Sequence, residues 1–129
     1  MVSFIFIILA SICNAIMDTC NHHFHISIFN HSKLKAIWWN GEISWKNKYI
    51  GGDPIYGRTK IPVQLTDAFH FFKMLMIIFI CLSIITFDKC KIIINCNYNI
   101  YNFLIILIVY GFFWNTIFSL FYKYILIKK

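Results

Sequence analysis

Aspartate and histidine fall together twice in this chain, each time at spacings that a helix would turn into a single face. The first group is Asp18, His22, His23 and His25 in "MDTCNHHFH", residues 17–25; the second is Asp67 and His70 in "TDAFH", residues 66–70. At about 100° per residue, Asn14, Asp18, His22 and His25 share one stripe, with His23 pointing elsewhere. Asp67 and His70 share a face at i, i+3. Pooled, three imidazoles and two carboxylates suffice to bind Zn, Fe or Mn. A metal with an open position can generate hydroxide or polarise an ester, and two histidines with one carboxylate can hold a non-haem iron. Without a metal, Asp18 and His70 are the candidates for acid/base work. The structural alternative is that these are polar helix ends resting among lipid headgroups, with Asp67 only a helix-terminal residue.

Such a site needs elements to hold it, and the composition says what they are. Of 129 residues, 60% are hydrophobic and 13% charged. Soluble domains run near 45–50% and about 25%. So small a chain cannot bury that much apolar surface in its own core, so the lipid bilayer is the expected partner. Net charge is +7. The basic residues flank apolar runs, which fits anionic headgroups, and no nucleic-acid motif is present.

Three apolar runs are readable as transmembrane helices. The first run, residues 2–17, carries no charge and no basic leader, and reads as an uncleaved span. Continued helicity predicts a helix over about 3–29, longer than the hydrocarbon is thick, so its histidine end emerges at the interface. The second span covers 67–87, with Thr66 as N-cap, Asp67 in the first turn and Lys73 snorkelling back. The third covers 100–122, where Asn102, Asn115 and Ser119 can serve helix association, either in a homo-oligomer or with a membrane-protein partner. The fold class expected is therefore an all-α membrane protein: one membrane domain over 1–129, three transmembrane helices and an ordered interfacial loop over 30–66.

Orientation follows from basic residues. The 30–66 loop and the C-terminus hold Lys33, Lys35, Lys46, Lys48, Arg58, Lys60, Lys123, Lys128 and Lys129; the 88–99 loop holds Lys89 and Lys91. The positive-inside bias puts the long loop and C-terminus in the cytoplasm and the N-terminus outside, as in a bacterial inner membrane. Cys90 and Cys96 then face an oxidising space, where they can pair. Cys13, Cys20 and Cys81 read as packing residues.

The long loop is not a linker. Asn40-Gly41 and Gly51-Gly52-Asp53-Pro54 are turn signals. Between them "EISWKNKY" alternates, which predicts a short half-buried strand with Ile43, Trp45 and Tyr49 on one side. Trp39, Ser44, Trp45, Asn47, Lys48 and Tyr49 are the candidate interfacial residues. They read either as an aromatic belt with basic anchors or as a lid over the Asp/His site, Ser44 and Lys48 meeting a headgroup.

"NAIMD" at 14–18, "SIF" at 27–29, "SWKNKY" at 44–49, "GDP" at 52–54 and "TDAFHFFK" at 66–73 resemble a group of small bacterial multi-pass membrane proteins of unknown function. That group's pattern runs N-A-x-M-D, a histidine, S-W-x-N-K-aromatic, then D-x-aromatic-H. The resemblance covers roughly residues 14 to 75. It aligns His23 as the histidine after Asp18, where helical phase favours His22 and His25, and Phe69 stands where the pattern has tryptophan. It implies that polar residues near the cytoplasmic interface define the group, and implies no activity. Two functions follow as expectations: a small membrane enzyme, metal-dependent and acting on lipid, or a non-enzymatic accessory subunit, small transporter or holin-like oligomer.

Overall fold

All three apolar runs fold as long helices, and the loop between the first two folds into short helical turns. The computed structural model describes residues 2–31, 36–87 and 100–128. Helix α1 is Val2–His22, α4 is Ala68–Phe87 and α5 is Ile100–Leu120, α5 continuing as a wider π-helical segment over Phe121–Leu126. Between α1 and α4 lie two one-turn helices, α2 (Ala36–Trp39) and α3 (Gly41–Ser44). Three helices, α1, α4 and the stretch Phe103–Leu126, are long and apolar enough to cross a membrane. A helix satisfies its own backbone polar groups, as lipid requires. No strand longer than a single bridge occurs among the described residues. The chain is thus an all-α membrane protein with an ordered, aromatic-rich loop.

Helix α1 is the shared element. It packs along α4 and against α5. Its small side chains make this possible: Ser3, Ala10, Ser11, Ala15 and Thr19 are all buried. Small residues let helix backbones approach closely where apolar area gives no driving force against lipid. Hydroxyls then link the three helices. Ser3 Oγ lies 2.9 Å from Ser83 Oγ and 2.7 Å from Tyr110 Oη, joining α1 to α4 and α5. Ser11 donates to the Trp114 carbonyl at 2.8 Å. Phe4 stacks on Tyr110 at 4.7 Å.

Helix α1 ends seven residues before the expected limit of 29. His23 leaves the helical basin (φ −133°, ψ 25°), and single 3-10 turns follow at Phe24–Ile26 and Ile28–His31. The C-terminal tail pairs there. Ser27 and Ile127 form an antiparallel bridge, and Lys128 N–H donates to the Ile26 carbonyl at 2.8 Å. The ends of α1 and α5, the start of α4 and the loop therefore share one end of the bundle.

The alternating stretch 42–49 is not a strand. Asn40 caps α3 by accepting from Glu42 N–H at 3.0 Å, and a 3-10 turn continues over Trp45–Lys48. Asn47 Nδ2 donates to the Ile37 carbonyl, tying that turn to α2. The burial pattern inverts accordingly: Ser44 is buried while Ile43 and Trp45 are exposed. Local capping outweighs the period-two pattern because each asparagine satisfies backbone groups that a lone strand would leave open. Gly41 is clamped against α1, where an added Cβ would stand 2.8 Å from Asn21 Cα. A short pairing of 48–50 with 58–60 closes the loop through Ile50 N–H to Arg58 O and Lys60 N–H to Lys48 O. Gly51 and Gly52 turn it at φ +74° each, and Asp53 Oδ1 accepts from Ile55 N–H.

Candidate functional site

The residue that starts α4 is Asp67, not the expected Thr66. Asp67 O accepts from Phe71 N–H at 3.1 Å, the first full helical bond, and its Oδ1 accepts from His70 N–H at 2.9 Å. That is an N-cap bonded to the third helical residue. His70 then folds back: its Nδ1 lies 2.8 Å from Asp67 Oδ2 and 3.0 Å from Oδ1. Thr66 places its hydroxyl 2.7 Å from the Val63 carbonyl and 3.2 Å from Asp67 Oδ2. Asp67 is 1% exposed, and the His70 side chain 28%.

This arrangement sets the tautomer of the ring. A carboxylate beside Nδ1 holds the proton on that nitrogen, so Nε2 carries the lone pair. The imidazole is oriented by a buried acid and is itself partly exposed. With Nδ1 turned to the carboxylate, Nε2 is the ring nitrogen left to meet a substrate. Aromatic rings gather at this end of α4. Phe69 meets His70 at 5.6 Å, Trp38 meets Phe71 at 6.0 Å, and Trp39 lies between Phe72 at 5.9 Å and Phe29 at 4.3 Å. Lys73 bends back toward the helix start, its Nζ 6.0 Å from the Phe69 ring centre, as the snorkelling argument expects.

Asp18 has its neighbour at the end of α5. Asp18 lies within electrostatic reach of Tyr122, and His23 packs on the Tyr122 ring at 5.4 Å. That group faces the end of α5. On α1 it is Cys20, buried, that stands within reach of Asp67. His22 Nε2 is 3.3 Å from Asn21 Nδ2 and His25 Nε2 3.3 Å from Glu42 Oε2, both pairs exposed. Asn14, Asp18 and His22 keep their shared face inside α1, and only His25 leaves the stripe, because α1 ends at His22. Among the described residues no three His, Cys, Asp or Glu side chains are grouped as a metal ion would need. Zn, Fe or Mn therefore finds no ligand set among the described residues.

Comparison with protein-family models, with curated proteins and with solved structures finds no match.

In the loop, Trp45 Nε1 donates to the Glu42 carbonyl at 3.0 Å and packs edge-on to Tyr49 at 6.4 Å. Lys46 and Lys48 lie over the Trp45 and Tyr49 rings at 5.8 and 5.1 Å. These are interfacial contacts of the kind aromatic and basic residues make at a headgroup layer. Cys90 and Cys96 fall outside the described residues. The helix-linking hydroxyls of Ser3, Ser83 and Tyr110, and the pairing of Tyr122 with His23, were not anticipated. Ser3 and Ser83 carried a local signal, each as a polar residue inside an apolar run.

Proposed function

We propose that this chain is a small integral membrane enzyme in which Asp67 and His70 act as an acid/base pair on a lipid headgroup. The observation that carries the reading is the 2.8 Å contact from His70 Nδ1 to a carboxylate that is 1% exposed, on an imidazole left partly open. His70 Nε2 takes the proton of a water or hydroxyl attacking a headgroup ester, and returns it to the leaving oxygen. Lys46 and Lys48 attract the anionic headgroup, and the Trp38–Trp39 platform limits water. The same reading puts the loop and C-terminus in the cytoplasm and the N-terminus outside, on nine lysines or arginines against two.

The test is the chain reconstituted in phosphatidylglycerol and phosphatidylethanolamine vesicles, with lipid products followed by mass spectrometry. Wild type releases product, and His70→Gln lowers the rate about 100-fold or more. Glutamine suits the third helical position, so the helix start survives the change. Absence of product from wild type, or equal rates, removes the proposal.

A second reading rests on the His70 N–H bond to Asp67 Oδ1 at 2.9 Å. The pair is then a helix cap in a non-enzymatic accessory subunit, small transporter or holin-like protein. Under it His70→Gln changes stability alone.

A further inference from the structure

A polar side chain inside a membrane span normally faces protein, because hydrocarbon cannot satisfy it. The outer face of α5 departs from this. Its inner face meets α1 through Tyr110, Phe113 and the Trp114 carbonyl. The opposite face carries Asn115, Thr116 and Ser119, in a shallow groove of about 520 Å³ flanked by Phe112 and Leu120. Thr116 is satisfied, since its hydroxyl donates to the Phe112 carbonyl at 2.8 Å within the helix. The exposed Asn115 carboxamide has no hydrogen-bond partner among the described residues.

Two observations put Asn115 at mid-membrane. It lies at the centre of the candidate span Phe103–Leu126. It also follows Trp114, whose carbonyl is bonded to Ser11, near the middle of α1 (Val2–His22). Neither end of the helix is close enough for so short a side chain to reach water.

We propose that the Asn115 face of α5 is the contact between two copies of this chain. The self-complementary carboxamide argues for a second copy over any other occupant. Across a two-fold axis each Asn115 donates an N–H to the other's oxygen, so one residue satisfies both sides. A different membrane protein would need its own donor and acceptor at the same depth. Thr116 and Ser119 are small enough for the two backbones to approach, and Phe112 and Leu120 close the groove above and below. The inference is independent of any reaction at His70.

The experiment uses full-length chain, labelled separately with donor and acceptor dyes, mixed in phosphatidylcholine vesicles and diluted with lipid. Wild type transfers energy with one-to-one stoichiometry, lost only at high dilution. Asn115→Leu, compatible with a lipid-facing helix and checked for unchanged helicity, dissociates at a protein-to-lipid ratio about tenfold higher. Asn115→Gln retains the carboxamide and restores association at least in part. Three results overturn the proposal: no transfer from wild type at any ratio, a leucine variant that associates like wild type, or a glutamine variant that behaves like leucine.

Discussion

Replacing Asp67 by alanine removes one carboxylate that does two jobs. It caps α4 through His70 N–H at 2.9 Å, and it holds His70 Nδ1 at 2.8 Å. Loss of an aspartate cap costs about 1 kcal/mol. Stranding a partly buried donor adds roughly 1–3 kcal/mol. The two terms overlap because the same group serves both bonds, so the expected cost is about 2–3 kcal/mol. Equilibrium unfolding in mixed micelles, with added dodecyl sulfate as denaturant, reads this directly. Tryptophan emission reports the region itself, since Trp38 packs on Phe71 one residue past His70. Asp67→Asn separates the jobs. Asparagine caps a helix as well as aspartate but offers the ring a neutral acceptor, so its cost is about 1 kcal/mol. An alanine variant within about 0.5 kcal/mol of wild type would refute the assignment of Asp67 as a structural anchor.

Three further outcomes are expected. Gly41→Ala forces a Cβ to 2.8 Å from Asn21 Cα, so the loop must lift from α1, at about 1–3 kcal/mol, with faster proteolysis between residues 36 and 66. Ser3→Ala removes the hydroxyl shared by Ser83 and Tyr110 and costs about 1 kcal/mol in the same micelle titration; a neutral result would mean the three helices hold without that bond. Single-cysteine labelling in a cysteine-free background reaches positions 46 and 128 from one face of the membrane, since the tail pairs beside the end of α1, and position 91 from the other. Labelling of 46 and 128 from opposite faces would disprove the shared end.

How far the site could be read from residues alone depended on sequence separation. Asp67 and His70 are three apart, and helix geometry by itself brings them together. Asp18 has its neighbour 104 residues away in Tyr122, and no local pattern indicates that pairing. Between these extremes, the alternation of "EISWKNKY" pointed to a strand where the structure has helical turns. The asparagines at 40 and 47 satisfied helical-turn backbone groups there, and only the packing of the turn on α2 and α1 shows why. Likewise the stripe holds through Asn14, Asp18 and His22 and fails only at His25, beyond the end of α1, where Ser27 pairs with Ile127.

What the sequence determined by itself is the solvent. Sixty per cent hydrophobic residues in long uncharged runs leave helices as the structures that satisfy their own backbone in lipid. Location, helix number and the acid–histidine contact at the start of α4 all follow from that and from 3.6-residue geometry. The tertiary structure decided which helix is central, because that depends on small residues of α1 meeting particular turns of α4 and α5. It also decided which polar groups meet. Asp18 comes within reach of Tyr122 and Cys20 within reach of Asp67, because α1 can offer each neighbouring helix only the face its rotation allows.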